Sequence, residues 1–389
     1  MSWPMVKLGD VVEKVDYGLT ASAVEKTDGP RFLRITDLQN DSVDWSTVPS
    51  SKCSPKEFED NKLAVGDIVF ARTGATTGKS FLIRSLPKPS VFASYLIRVR
   101  PGKSVVPSYL SHFFKSPMYW NQISVMANGA AQPGVNSSKL KELEIPLPPL
   151  DEQKRIAAIL DKADAIRRKR KQAIKLADDF LRSVFLDMFG DPVTNPKGWE
   201  VKAIKELATV TTGNTPSRKV PEYFGNDVEW IKSDNINTPH HILTTATEYL
   251  SHEGVKVART VPKGSTLITC IAGSFDCIGN AAFANREVSF NQQINALTPK
   301  DGVLSWFLYA LIIFSKKIIQ NASTNSMKGM ISKGKLEEVK LFLPPLDLQR
   351  QFEDILDKQT RTVERMNSSN ESDHELSNSL SQKAFAGEL

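Results

Sequence analysis

The stretch that most resembles a chemical motif is Gly74-Ala75-Thr76-Thr77-Gly78-Lys79-Ser80, whose glycines and lysine suggest a phosphate-binding loop. A Walker-type loop needs four residues between its glycines so that successive backbone N–H groups can wrap a phosphate, and only three stand here. The long helix that should follow is also missing, because Phe81 to Arg84 reads as a short strand ending near Pro87. Nucleotide binding is therefore not expected. His240 and His241 are adjacent in a polar loop, while His112, His252 and His374 lie at no ligand-like spacing from a cysteine or carboxylate, so no metal centre is expected. Cys53, Cys270 and Cys277 fit neither a disulfide framework nor a zinc pair and read as ordinary thiols. Asn195-Pro196-Lys197-Gly198 approaches the Asn-Pro-Pro-aromatic motif of amino-methyltransferases but has the wrong third residue, and no glycine-rich turn suggests a methyl-donor pocket.

What remains is a set of loops rich in hydrogen-bonding side chains: Arg72 to Lys79, Asn128 to Lys139, Gly273 to Asn280 and Asn321 to Lys335. They occupy equivalent places in a chain that is written twice. Leu147-Pro148-Pro149-Leu150-Asp151-Glu152-Gln153 recurs 196 residues later as Leu343-Pro344-Pro345-Leu346-Asp347-Leu348-Gln349, and Ile159-Leu160-Asp161-Lys162 recurs at the same offset as Ile355-Leu356-Asp357-Lys358. Lys139-Leu140-Lys141-Glu142-Leu143 likewise answers Lys335-Leu336-Glu337-Glu338-Val339. Farther back the likeness thins but keeps its order, Phe32 to Asp37 against Glu229 to Asp234 and Val65 to Val69 against Lys263 to Leu267. A fixed order at a nearly fixed offset marks a duplicated architecture, whereas one Pro-Pro-Leu would mean nothing.

Each half opens with short β-branched and aromatic runs broken by Gly, Pro, Asn and Asp, the pattern of a mixed, strand-rich domain. A helix-like segment follows, Ser108 to Lys115 or Leu304 to Ile319, then a polar loop, a last strand and Pro-Pro. After Pro-Pro-Leu, Asp151 and Asp347 stand where an N-cap is expected, each opening a long stretch free of Gly and Pro. In the first stretch Ile156, Ile159, Ala163, Ile166, Ala173, Ala177, Phe180 and Val184 recur at three-four spacing, interrupted by Arg170 at a seam position. The helix from about Asp151 to Phe189 should measure on the order of 55 Å. In the second, Phe352, Ile355 and Met366 begin a similar stripe, the polar run Asn367 to Asp373 cannot make a strong seam, and Leu376, Leu380 and Phe385 resume it. Core packing explains any one such helix. Two at equivalent places predict an antiparallel pair.

The 389 residues are 40% hydrophobic and 24% charged, proportions of a soluble globular chain long enough for two domains, and no apolar run reaches the roughly 18 residues of a membrane span. The start lacks a signal-peptide block, so the cytoplasm is the expected compartment. With 50 Lys+Arg against 44 Asp+Glu the net charge is +6, which suits a polyanionic partner without selecting one.

Taken together, the paired Leu-Pro-Pro-Leu-Asp-x-Gln segments, Met188-Phe189-Gly190-Asp191-Pro192, Asn195-Pro196-Lys197-Gly198-Trp199 and the closing Gln382-Lys383-Ala384-Phe385-Ala386-Gly387-Glu388-Leu389 resemble the specificity subunits of Type I restriction-modification systems across essentially the whole chain. The resemblance implies an α/β (α+β) fold with a pseudo-twofold internal repeat. Target-recognition domains at 1–147 and 191–343 would be separated by long antiparallel coiled-coil helices at 148–190 and 344–389. It further implies that the chain reads a bipartite, asymmetric site on double-stranded DNA without catalysis of its own. Its partners would be two methyltransferase subunits and the restriction/translocase subunits, with no membrane involved. S-adenosylmethionine, ATP and Mg would be bound on those partners only.

In that light the polar loops become candidates for DNA contact, since phosphates need basic and small polar anchors and base edges need Asn, Gln, Arg or Lys. The first half offers Arg72, Thr73, Thr76, Thr77 and Lys79, then Gln132, Asn136, Ser137 and Lys139; the second offers Ser274, Asn280, Asn325, Lys328, Lys333 and Lys335. A solvated hairpin with incidental charges is the plainer alternative for the first loop. The basic run Arg167 to Lys171 reads as a solvated helix face, or as a contact to spacer phosphates or to an acidic patch on a methyltransferase. The divergence between equivalent loops predicts two unlike half-sites. The rival reading of the whole is an adaptor whose duplicated domains grip proteins.

Overall fold

The computed structural model describes the chain apart from residues 1–2, 26–27, 40, 75, 128–133, 238–240 and 325–328, and apart from the side chains of 367–378. Gln132, Asn325 and Lys328 therefore lie outside the described residues. The chain forms two compact units, one built from 1–171 with 368–389, the other from 172–367.

In the first unit an antiparallel sheet runs in the order Val12–Tyr17, Leu96–Pro101, Ile68–Ala71, Ser80–Leu82. The second unit repeats it as Ala208–Thr212, Ile294–Pro299, Thr266–Thr269, Ala281–Phe283. Each unit adds a smaller sheet containing one parallel pair, Arg31–Leu33 with Ser90–Phe92 and Trp230–Ile231 with Ser289–Phe290. Each is closed by an antiparallel pair joining its two ends, Met5–Lys7 with Glu144–Pro146 and Glu200–Ala203 with Lys340–Leu343. The duplication read in the sequence is thus a duplication of topology.

The sheets sit inside the units, not on their surfaces, which is why Ile68-Val69-Phe70-Ala71 is an unbroken apolar run. Ile68 and Phe70 pack on one face among Tyr109, Phe113 and Phe114, and Val69 on the other among Leu33, Phe92 and Leu96. In the second unit Ile268 joins Phe307 and Leu308, while Leu267 joins Ile231 and Phe290. The helix-like segments of the sequence become Pro107–Phe113 followed by Pro117–Ala127, and Ser305–Phe314 followed by Lys316–Asn321.

Two long helices, Leu150–Phe189 and Leu346–Ala386, follow the Pro-Pro pairs. Each begins at the leucine, so Asp151 and Asp347 lie in the first turn instead of capping it. There they still face the positive end of the helix dipole. The motif's glutamine fixes each junction. Gln153 Oε1 accepts Val106 N–H at 2.8 Å while its Nε2 donates to Pro148 O at 2.8 Å and Ser104 O at 3.1 Å. Gln349 does the same with Leu304 N–H at 3.0 Å, Pro344 O at 2.9 Å and Gly302 O at 3.1 Å. Both glutamines are fully buried.

The stripe on the first helix differs in part from the sequence reading. Ile156, Leu160, Leu181, Phe185 and Phe189 are buried, whereas Ile166 and Phe180 are exposed. Several apolar rows run along this helix, and the row that wins is the one facing the partners within each unit. In the second unit Phe185 and Phe189 pack edge-on against Phe352 and Gln359 donates to Ala177 O, so the two helix segments there run antiparallel. In the first unit Ile156 and Leu160 share a core with Ala384 and Phe385. No helix among the described residues is long and apolar enough to cross a membrane.

Candidate nucleic-acid interface

In the first unit the Gly74–Gly78 turn joins the Ile68–Ala71 and Ser80–Leu82 strands, with no helix after it. Gly74 and Gly78 have φ of 86° and 84°, which side-chain-bearing residues adopt only with strain. Gly78 N–H donates to Ala71 O, Ala71 N–H to Lys79 O, and Thr77 Oγ1 to Gly74 O at 2.7 Å. Tyr119 Oη holds the turn from below by donating to Gly78 O. Arg72, Thr73 and Lys79 are exposed and Thr76 and Thr77 half-buried.

The second candidate loop reaches the first. Val135 N–H donates to Arg72 O at 3.1 Å, and Thr73 pairs with Gly134 in an isolated bridge. Asn136 then caps the short Ser137–Lys141 helix, its Oδ1 accepting Lys139 N–H at 2.8 Å. The Lys139 ammonium turns inward to Met126 O at 2.7 Å and Gly134 O at 3.5 Å, so it braces the loop. Tyr17 completes the junction, and the sequence reading missed it. Its Oη accepts Ser137 N–H at 3.1 Å and Ser137 Oγ–H at 3.4 Å, and the Arg72 guanidinium lies 5.0 Å over its ring. The Ser137 hydroxyl, its N–H and the Arg72 charge together hold the Tyr17 phenol below its ordinary range. Gly18 approaches Phe92 O so closely that a Cβ would stand 2.2 Å away, and Gly213 meets Asn291 O in the same way, which makes Tyr17 the counterpart of Thr212.

The second unit builds the same junction from other side chains. Ile271–Ala272 pairs with Gly329–Met330 and Ile331 N–H donates to Cys270 O, matching the Thr73 bridge and the Val135 bond. Cys270 stands where Arg72 does but is buried; it accepts Asn295 Nδ2–H at 3.1 Å, and Asn295 Oδ1 in turn accepts the Thr212 hydroxyl at 2.6 Å. Burial pushes the Cys270 thiol up to about 11, so it stays protonated at neutral pH. Ser274 is exposed and its Oγ accepts Asp276 N–H, capping a short 3-10 turn. Asn280 donates to Asn237 and accepts from Lys316. Ser332 caps Lys333–Glu337 as Asn136 caps its helix; Lys333 lies 3.6 Å from Glu337, and Lys335 is exposed.

The junction therefore gathers Arg72, Thr73, Asn136, Ser137 and Tyr17 in one unit, and Lys333 and Lys335 beside the Ala272–Gly329 pairing in the other. Asn280 lies at the far end of its turn, tied to Lys316. The basic run on the first long helix is partly engaged: Arg167 pairs with Asp164 at 3.3 Å, and Arg168 lines a cavity of about 260 Å³ with Trp45, Arg84 and Lys115.

A sequence model described as the Type I restriction modification DNA specificity domain matches this chain twice, at residues 2–176 and 196–372. The chain is 31% identical over 181 residues to the Type I restriction enzyme MjaIX specificity subunit of Methanocaldococcus jannaschii, a match covering 45% of this chain and 41% of that relative, less than half its length. It is 24% identical over 395 residues to the EcoKI specificity subunit of Escherichia coli, covering 94% of this chain and 83% of the other. Its fold is similar to the crystal structure of a Type I restriction-modification S subunit from M. genitalium, with a TM-score of 0.63 at 14% identity over 99% of this chain and 96% of that one.

Proposed function

The chain belongs to the Type I restriction-modification DNA specificity family, and on that footing we propose that it is the DNA-reading subunit of a Type I restriction-modification enzyme, with no catalytic centre of its own. Residues 1–147 and 191–343 act as two target-recognition domains on a split, asymmetric site in double-stranded DNA, and the helices of 148–190 and 344–389 set the spacing between them. Two methyltransferase subunits dock on that helical framework and carry the S-adenosylmethionine chemistry on adenine. Restriction subunits bring ATP, Mg and cleavage, and the assembly works in the cytoplasm.

One observation carries this reading: the same scaffold and the same two-loop junction recur, while the side chains built into it differ, an exposed Arg72 over Tyr17 in one unit and a buried Cys270 joined through Asn295 to Thr212 in the other. A reader of two unlike half-sites needs a constant frame and variable contacts. Leu176 and Phe180, one turn apart and more than half exposed on the first long helix, offer apolar contact to a docking methyltransferase.

The test is adenine-methylation mapping of DNA from cells expressing this chain with its methyltransferase subunit, against cells lacking only this chain. A split motif that appears with the chain is the expected result. Co-purification without any motif would favour a protein-gripping adaptor instead.

A further inference from the structure

The Tyr17 phenol is held in an unusual way for an exposed tyrosine. Its oxygen accepts two hydrogen bonds from Ser137, one from the backbone and one from the hydroxyl. The Ser137 N–H is placed by the helix that Ser137 opens and Asn136 caps. Arg72 covers one face of the ring, and its carbonyl is tied to Val135. With its oxygen supplied with donors, the phenol's own hydrogen finds no acceptor among the described residues, and the side chain is 37% exposed. A hydrogen-bond donor is therefore fixed in direction and turned outward, beside a guanidinium that can meet a phosphate.

Resting on the reading that this chain binds DNA, we infer that Tyr17 is a specificity-determining residue of the first unit, its hydroxyl donating to an acceptor on a base edge in the major groove. A single donor of fixed direction distinguishes guanine N7 or O6, adenine N7 and thymine O4 from the donating amino group of cytosine. Arg72 supplies the phosphate contact that places the hydroxyl, and Ser137 is a positioning residue acting through the phenol. The second unit has Thr212 at this place, its hydroxyl donating inward to Asn295, so the device belongs to one half-site only.

The test uses the full chain assembled with its methyltransferase subunit, comparing methylation rates and DNA affinities on duplexes varied one base pair at a time. Tyr17→Phe keeps the ring under Arg72 and removes only the hydroxyl. It should lower discrimination about tenfold at one base pair of one half-site and leave the other half-site unchanged. Ser137→Pro removes the N–H that orients the phenol at a first helical position where proline is tolerated, after an Asn136 already extended at φ −123°, ψ 169°. It should relax the same base pair, and Ser137→Ala, which removes only the longer 3.4 Å bond and keeps the N–H, should relax it less. Tyr17→Phe with every preference intact would overturn the inference, as would a uniform loss of affinity on all duplexes, which would place the hydroxyl on a phosphate. If the unmutated complex discriminates no duplex, the DNA-reading proposal itself fails, an outcome separable from the other two.

Discussion

The two units solve one folding problem with different interiors. On the central strand of the first, Arg98 is fully buried, pairs with both carboxylate oxygens of Asp16 at 2.6 and 2.9 Å and donates to Lys62 O, while Arg100 pairs with Asp67 at 2.7 Å. The strand registers make Asp16, Asp67, Arg98 and Arg100 the counterparts of Thr211, Ser265, Ala296 and Thr298 in the second unit. There the Asp67–Arg100 pair is replaced by a hydroxyl contact, Ser265 to Thr298 at 2.9 Å. An ionic interior and a neutral one support the same sheet order, so the sheet is specified by its apolar faces and its junctions. Buried ion pairs add little net stability but are costly to break singly.

Breaking one partner should expose that difference most strongly. Arg98→Ala removes a buried guanidinium bonded to Asp16, Lys62 O and Asp60 O, leaves Asp16 with the exposed Lys14 at 2.9 Å, and should destabilise the first unit by about 3 kcal/mol in denaturant unfolding. The fourfold exchange D16T/D67S/R98A/R100T, which installs the second unit's residues, should recover most of the loss. If the exchange is no better than Arg98→Ala alone, the interiors are not interchangeable and the comparison breaks.

A smaller and equal effect is expected where the units agree. Gln153→Leu or Gln349→Leu takes the partner from a half-buried N–H, a buried proline carbonyl and a carbonyl near the surface, at a cost of about 2 kcal/mol, since a buried unsatisfied group costs about 1–3 kcal/mol. Hydrogen exchange at Val106 or Leu304 should accelerate only in the unit altered. Markedly unequal costs would mean that the shared motif does different work in its two places.

The smallest effect is a pH dependence confined to the first unit. His112 is buried against Asp161 at 3.0 Å, with Asp164, Lys115 and Arg84 nearby, and desolvation holds its pKa below the ordinary 6.5 despite those carboxylates. The folded unit binds the proton less readily than the unfolded chain, so this residue's contribution to stability falls as pH drops below about 6.5. The second unit has the buried, uncharged Ala310 at the equivalent position, six residues beyond Leu304 as His112 is six beyond Val106. His112→Leu should therefore flatten the acid-side decline in exchange protection of Pro107–Phe113, whereas an unchanged decline would assign it to other groups.

The repeat, the long helices and the loops were legible in the sequence because each is written in local spacing or in a repeated string. The function of Gln153 was not. It appeared only as part of a copied motif, since its partners Ser104 and Val106 lie more than forty residues away. Tyr17 escaped for the same reason, meeting Ser137 across 120 residues. The buried helix row was misjudged at Ile166 and Phe180 because three-four spacing admits several rows, and packing within each unit chooses among them.

The central claim is that one scaffold, used twice, reads two unlike half-sites through the side chains at its loop junction. The most direct test is a chimera in which residues 200–343 are replaced by a copy of residues 5–146, each segment bounded by its own closing strand pair. Adenine-methylation mapping with the cognate methyltransferase subunit should then return a motif with two identical half-sites, both the one now read by the first unit. A folded, assembling chimera that still methylates the parental asymmetric motif would contradict the account.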